Sequence, residues 1–507
     1  MDGLPFEFHQ LALDKNHALA LEPELSFKSE SMLAFNLHSW GYWETPFVPL
    51  VSKWKWLEPR HVVHVCDRWA TNRTEILQAA FFNGTGVESW ENVWGWWNQF
   101  TDRDALALKR ISTIYRAVPD LLSSPSWTPH EPTLHYGVYA SRFPSDSRVL
   151  WTVINRNDFQ IDSGILKVEH MNGGRYFDLW NGIELEPQVN GKWTTIDVPL
   201  ESKGYGAVLW VDDHADLNAL NETLGTLRLL AATPLRAVSN EWKFLPQSMV
   251  PIAPSQGSQR VIDDMVTVPR GEFEFRVTGL EIEGENRVGM DFQYPWEDSP
   301  RRAHYRRMEL QSFQIDRRPV TNAEFKQFLD SSKYVPADDH NFLRHWLSGA
   351  PKVDELRTPV TWVALDDARA FCKWAGKRLP HEWEWQYAGQ GTDGRSYSWG
   401  NSWRSEFVAA SVKGRHLPAL PAVGQNPEGA SPFGVEDMVG LVWQWTDEYV
   451  DTHMRTAVLR GGSFYQPQGS SWYFPQAYKL SEHGKYLLMS PGKDRAGAIG
   501  FRCVRDL

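Results

Sequence analysis

The sequence predicts a multidomain α+β chain made of a partial (β/α)-barrel segment, a β-sandwich and a larger mixed domain. Three observations predict it. A length of 507 residues exceeds one compact core and suits about three domains of roughly 150 residues. An apolar fraction of 42% with 23% charged residues is enough for ordinary buried cores. The local grammar also changes along the chain. Residues 1–124 read as strand, helix and Trp-rich loop, and 128–212 as short strands with Asn-Gly turns. Residues 213–260 read as a helix and a linker, and 261–507 as helices between Gly- and Trp-rich turns.

Composition excludes several functions. A formal net charge of -11 argues against a nucleic-acid binder, which needs a basic face for phosphates. No run approaches the roughly 18 apolar residues of a membrane span. Three cysteines exclude a disulfide-built scaffold and a four-thiolate zinc site. The N-terminus has no basic segment followed by an apolar run, so no signal peptide is read. A start among interior-looking elements reads as the tail of a longer protein, and the compartment stays open.

The first part holds nine tryptophans. Its strand-like run His61-Val62-Val63-His64-Val65-Cys66 stops at Asp67, a helix is expected over 71–82, and Glu88 and Glu91 sit in the Trp-rich stretch that follows. An acidic residue at a strand end before a helix is the grammar of a (β/α)-barrel mouth. The stretch resembles in style the closing portion of a glycoside-hydrolase barrel, without a diagnostic motif. Sugar cleavage needs two carboxyl groups, and Asp67, Glu88 and Glu91 are the candidates, against the plainer reading of loop acids. A barrel needs about 200 residues and only about 125 are present, so hydrolysis by this stretch alone is not expected. His61 and His64 point to opposite faces of a strand and make no metal pair.

In the second part, Val149–Asn155 and Gly206–Val211 are short apolar runs. Asn172-Gly173-Gly174 and Asn190-Gly191-Lys192 lie between extended segments, as tight hairpins require. Leu217, Leu220, Leu224 and Leu227 then mark one amphipathic helix over 217–232. Pro246, Pro251, Pro254 and the Ser-Gln-Gly-Ser run after them read as a linker with few contacts.

Residues 261–507 are the most specific. Thr321 with Glu324 makes a capping box before a helix. A second helix, over 365–374, runs into Gly376-Lys377-Arg378-Leu379-Pro380-His381-Glu382-Trp383-Glu384-Trp385. Gly376 suits a helix C-terminus and Pro380 the first turn of the next helix. Ser398-Trp399-Gly400-Asn401 follows, then Gly440-Leu441-Val442-Trp443-Gln444-Trp445 and Leu459-Arg460-Gly461-Gly462-Ser463-Phe464, and finally Gly500-Phe501-Arg502-Cys503-Val504. In this order the motifs resemble the sulfatase-modifying factor family, whose founding member is formylglycine-generating enzyme.

The resemblance implies a C-type-lectin-like fold and, for the founding activity, oxidation of a sulfatase cysteine with copper and dioxygen. It also implies a ligand groove lined by Trp445, Arg460, Ser463, Gln466, Ser471 and Arg502. Gln466 and Ser471 stand where the oxidase carries its copper-binding cysteines, and neither side chain replaces a thiolate for copper(I). Copper is therefore not expected. The family's calcium segment reads Gly-Asn-Val-Trp-Glu-Trp; here Leu441 and Gln444 remove two oxygen ligands, which places calcium in doubt. Cys372 and Cys503 match a pair that forms a disulfide in the oxidase. Either a bond or two packed thiols is open, with the Cα atoms expected within roughly 7 Å. The iron-dependent branch uses a helical bundle with three histidines, and the N-terminal half shows no such helices.

Three readings of function stand side by side. The first is a divergent family member without the copper cysteines, acting in ligand or protein binding, with a carbohydrate or peptide as ligand. The second is an oxidoreductase of the same family with different metal chemistry. The third is a carbohydrate-active, glycoside-hydrolase-like protein.

Overall fold

Three valines, Val62, Val63 and Val65, favour the extended backbone of the strand at the centre of the first sheet. The computed structural model describes residues 3–17, 19–22, 29–41, 44–67, 71–89, 100–215, 217–256, 264–280, 291–414, 416–452, 455–467 and 476–507. They divide into two units, one reaching to Lys243 and the other running from Phe244 to Leu507.

The N-terminal unit begins with α1 (Gly3–Asp14), β1 (His38–Gly41), α2 (Lys53–Leu57), β2 (Val62–Asp67), α3 (Thr74–Asn83) and β3 (Gly86–Ser89). The three strands form a parallel sheet in the order β1-β2-β3. Helix α3 ends at Gly84, whose φ of +62° suits glycine and where a Cβ would meet the Phe143 ring at 2.7 Å. Helix α4 (Asp102–Ala117) is capped by Thr101, whose hydroxyl accepts from the Asp104 amide at 3.1 Å.

Nine strands follow: β4 (Thr128–Glu131), β5 (Val138–Pro144), β6 (Arg148–Asn155), β7 (Leu166–Glu169), β8 (Gly174–Asp178), β9 (Ile183–Leu185), β10 (Gln188–Asn190), β11 (Trp193–Ile196) and β12 (Tyr205–Asp212). Six of them make an antiparallel sheet ordered β4-β5-β6-β12-β8-β9, and three make β10-β11-β7. Val138, Val149, Trp151 and Val208 of the larger sheet share a core with Leu166, Val168 and Ile196 of the smaller. Phe143, Leu150, Ile154 and Leu209 share another with Leu77 and Phe81 of α3, Ile111 of α4, and Leu224 and Leu227 of α5 (Asn218–Ala231). The expected division at residue 124 is thus replaced by one common core. Asn190-Gly191 turns a hairpin between β10 and β11, with Gly191 at φ +61°. Asn172-Gly173 differs from expectation: it carries the chain from β7 in one sheet to β8 in the other.

The C-terminal unit begins where the linker was expected. Strand β13 (Ser248–Met249) pairs antiparallel with β19 (Trp443–Val450), and the Val250 amide donates to Glu448 O at 2.8 Å. The Ser255 amide donates to Asp506 at 2.7 Å. The stretch is thus held by backbone hydrogen bonds, and its prolines fall outside the two-residue strand.

The remaining elements are β14 (Met265–Val268), β15 (Gly271–Gly279), β16 (Ala303–Leu310), β17 (Phe313–Asp316), α6 (Asn322–Ser332), α7 (Leu365–Trp374), α8 (Glu382–Gln390), β18 (Val412–Gly414), β20 (Arg455–Arg460), β21 (Tyr465–Pro467), β22 (Glu482–Leu488), α9 (Pro491–Asp494), β23 (Ile499–Gly500) and β24 (Val504–Asp506). The main sheet runs β13-β19-β20-β22-β15-β16, with β23 also paired to β19. Strands β14-β17-β24 make a second sheet, and β18 pairs with β21.

Thr321 and Glu324 form the full capping box of α6. Helix α7 ends before Gly376 at φ +69°, whose amide donates to Lys373 O at 3.0 Å. Pro380 lies two residues before α8 and not in its first turn, and His381 takes the N-cap. Cys372 on α7 and Cys503 just before β24 are joined by a disulfide with Cα atoms 5.7 Å apart, among Phe325, Phe371 and Phe501.

The bond closes a separation of 131 residues. Replacing both cysteines by alanine should lower the unit's stability by about 2–5 kcal/mol, read as a lower denaturant midpoint. An unchanged midpoint would show that packing alone holds this contact.

Candidate functional site

Three of the expected groove residues are interior framework. Trp445, Arg460 and Arg502 are each 0% exposed, so their assignment to a groove surface is corrected. Trp445 donates through Nε1 to Val363 O at 3.2 Å. Arg502 spends its guanidinium on Gln444 Oε1 (2.7 Å) and on the main-chain oxygens of Asp316, Arg317, Glu436 and Asp437. Burial pulls its pKa down to about 10, so it stays charged at neutral pH. A guanidinium with five internal acceptors has no donor left for a ligand.

Ser463 is buried too, at 2% exposed, whereas Gln466 is half-buried and lies by a surface feature. Gly461 and Gly462 have φ of +87° and +64°, and a Cβ on Gly462 would meet the Tyr478 ring at 2.9 Å. That close approach lets the Tyr478 hydroxyl donate to Ser463 O at 2.8 Å. Burial pushes the hydroxyl pKa up, and hydrogen bonding with Ser411 and Gln466 pulls the other way. Trp403, 42% exposed, stacks on Tyr478 with ring centres 5.0 Å apart and meets Tyr397 and Trp399 edge-on. The result is an aromatic ledge beside half-buried Gln466. Sequence reading passed over Trp403 and Tyr478, because nothing local distinguishes them among 26 tryptophans and 16 tyrosines. Ser471 lies outside the described residues.

Against the main sheet lies a polar cluster of which the sequence motifs contained only Glu382 and Arg460. Arg460 donates to Glu382 at 2.9 Å, and its guanidinium lies 4.9 Å from the centre of the Trp385 ring. Glu382 also accepts from His483 Nδ1 at 2.9 Å. His304 Nδ1 meets Glu297 at 2.9 Å. Asp291, His304 and His483 each offer one ligand atom, all within 4.8 Å of one another. Burial opposes charging of His483, but Glu382 and Asp291 outweigh it and push its pKa up to about 9.

The sequence signature described as "Sulfatase-modifying factor enzyme 1-like domain" matches residues 252–507, half of the chain. The chain belongs to this family. It is 28% identical over 329 residues to formylglycine-generating enzyme of Mycobacterium tuberculosis, covering 48% of this chain and 99% of that protein. It is 30% identical over 289 residues to inactive C-alpha-formylglycine-generating enzyme 2 of Bos taurus, covering 48% and 87%. An Anoxybacillus α-amylase structure aligns at TM-score 0.30 and 10% identity, over 43% of this chain and 57% of that one.

The family's metals do not fit the residues present. Copper meets Gln466 instead of a cysteine, and the unit's two cysteines are spent on each other. Calcium meets Leu441, an apolar residue 3% exposed, and a Gln444 oxygen already taken by Trp385 Nε1 (2.8 Å) and Arg502. Of the carboxylate candidates in the N-terminal unit, Asp67 and Glu88 lie on adjacent parallel strands, with Cys66 opposite Glu88. Their side chains, and the whole of Glu91, lie outside the described residues.

Glu382→Gln should destabilise the C-terminal unit by about 3–5 kcal/mol in denaturant unfolding, because Arg460 is left buried without its counter-charge. Glu382→Gln combined with Arg460→Gln should cost less than the two single changes added together.

Proposed function

We propose that the chain is a divergent, non-oxidase member of its family that binds a carbohydrate or peptide on the ledge formed by Trp403, Tyr478 and Gln466. In this reading the C-terminal unit is a C-type-lectin variant, and the N-terminal unit joins a (β/α) segment to a β-sandwich. One observation carries the proposal: Gln466 takes a thiolate's position while Cys372 and Cys503 are bonded to each other. The oxidase's copper(I) site uses thiolates, and this unit has no cysteine besides the bonded pair. The name of the bovine relative describes a comparable condition, a family member without the generating activity. An exposed indole against a phenol ring gives a flat apolar platform with polar atoms at its rim, which suits a sugar face or an aromatic peptide side chain.

A sulfatase-type Cys-x-Pro-x-Arg peptide incubated with the full chain, copper and oxygen should remain unconverted. Aldehyde detected by mass spectrometry above a no-protein control would overturn the loss of oxidase chemistry.

On glycan and peptide arrays the full chain should give a specific signal that Trp403→Ala lowers about 2- to 12-fold, since one stacked aromatic contact is worth about 0.5–1.5 kcal/mol. An array signal indifferent to Trp403, or no signal on either array, would count against the ledge.

A further inference from the structure

The buried cluster against the main sheet has features that the family's known metals do not explain. Strand β15 lies between β22 and β16, and its register sets His483 opposite Gly279 and His304 opposite Val277. Positions 277 and 279 share the inward face of a pleated strand, so the two imidazoles flank a position with no side chain. Asp291 fills that space: a Cβ on Gly279 would lie 1.8 Å from its Oδ2. Three distant segments thus bring two imidazoles and a carboxylate to one point.

The proton positions are constrained as a metal site requires. Each histidine pairs its Nδ1 with a carboxylate, His483 with Glu382 and His304 with Glu297, both at 2.9 Å. Each Nδ1 then donates to its carboxylate; His483, held charged without an ion, gives up its Nε2 proton when an ion binds, and both Nε2 atoms then offer lone pairs beside Asp291. A carboxylate behind the imidazole orients the ring and raises the basicity of the opposite nitrogen, the usual second partner of a metal-bound histidine. His304 Nε2, His483 Nε2 and Asp291 Oδ1 have no hydrogen-bond partner among the described residues. His483 Nε2 lies 3.6 Å from Asp291 Oδ2, a spacing suited to two ligands sharing one ion. The side chains of both histidines are 0% exposed and that of Asp291 6%.

The surroundings are dry and stiff. Phe292 meets His483 edge-on at 5.0 Å, and Tyr294 meets His304 at 4.5 Å. Lys485 reaches the main-chain oxygen of Asp291 at 3.4 Å. His304 also borders two clefts of about 790 and 600 Å³, which bring solvent to within one residue of the cluster.

We propose that Asp291, His304 and His483 bind one divalent transition-metal ion of the zinc or ferrous class. Ligand atoms no more than 4.8 Å apart can converge on a common centre about 2.8 Å away, and contraction to about 2.1 Å needs only small side-chain shifts. Two imidazoles and one carboxylate select first-row transition ions over calcium or magnesium. Three protein ligands leave positions open for water or a bound group, as reactive rather than purely structural sites do. The alternative arrangement is a protonated His483 ion-paired with Asp291, which needs no metal.

The test uses the full chain, stripped with chelator and titrated with Co²⁺ and then Zn²⁺. One equivalent of Co²⁺ should bind with visible absorption and be displaced by Zn²⁺. Asp291→Asn and His304→Gln should each weaken binding at least about 100-fold, and Glu297→Gln, one shell out, about 10- to 100-fold. Retention of no stoichiometric ion by the folded chain, or wild-type affinity in both ligand variants, would overturn the proposal. Should a variant fail to fold, X-ray absorption at the zinc edge of the wild-type chain decides. Two imidazoles in the coordination sphere support the site, and a sphere without them refutes it.

Discussion

The carboxylate of Glu382 is the point on which the C-terminal unit is assembled. It sits at the first turn of α8, fully buried, and takes hydrogen bonds from Arg460 at the end of β20 and from His483 on β22. One side chain thereby ties a helix to two neighbouring strands of the main sheet. Asp447 on β19 extends the arrangement by accepting from the Glu382 amide and pairing with His381, both at 2.7 Å. A charge in such a place is tolerable only when every partner is present, since its desolvation costs more than any one contact returns. Helix, strands and polar cluster therefore form together or not at all.

A second hub, Arg502, gives part of the family's sequence pattern a structural use in this chain. Its guanidinium binds Gln444 and four main-chain oxygens, and Gln444 in turn accepts from Trp385. The Gly-Leu-Val-Trp-Gln-Trp segment thus serves packing and hydrogen bonding. An amide at position 444 can both donate and accept, which suits a crowded network better than an acceptor-only carboxylate. The Gly461-Gly462 pair is likewise required by geometry, by positive φ and by the Tyr478 ring pressed against it. These motif residues thus have packing and hydrogen-bonding roles in closing the fold.

The N-terminal unit obeys a different constraint. The faces of its six-stranded sheet need cover, and α3, α4 and α5 supply it on one side while β7 and β11 supply it on the other. A boundary placed at residue 124 cuts through that core. Composition changes there because helix gives way to strand, while the buried surface continues across the junction.

Much of the local structure was legible in the sequence. The capping box at Thr321, the glycine stop at Gly376, the helix over 218–231, the Asn190-Gly191 hairpin and the family motifs all depend on contacts within a few residues. The residue types between Ser463 and Cys503, which include no cysteine, are a matter of sequence as well. Tertiary structure alone decided the rest. The proline-rich stretch became an edge strand because a partner, β19, was within reach. Trp445, Arg460 and Arg502 went inside because distant acceptors met them there. His304 and His483 came together through the register of β15 with β16 and β22, with Asp291 filling the space at Gly279, and strand register between separate segments is set by packing that no single stretch of sequence contains.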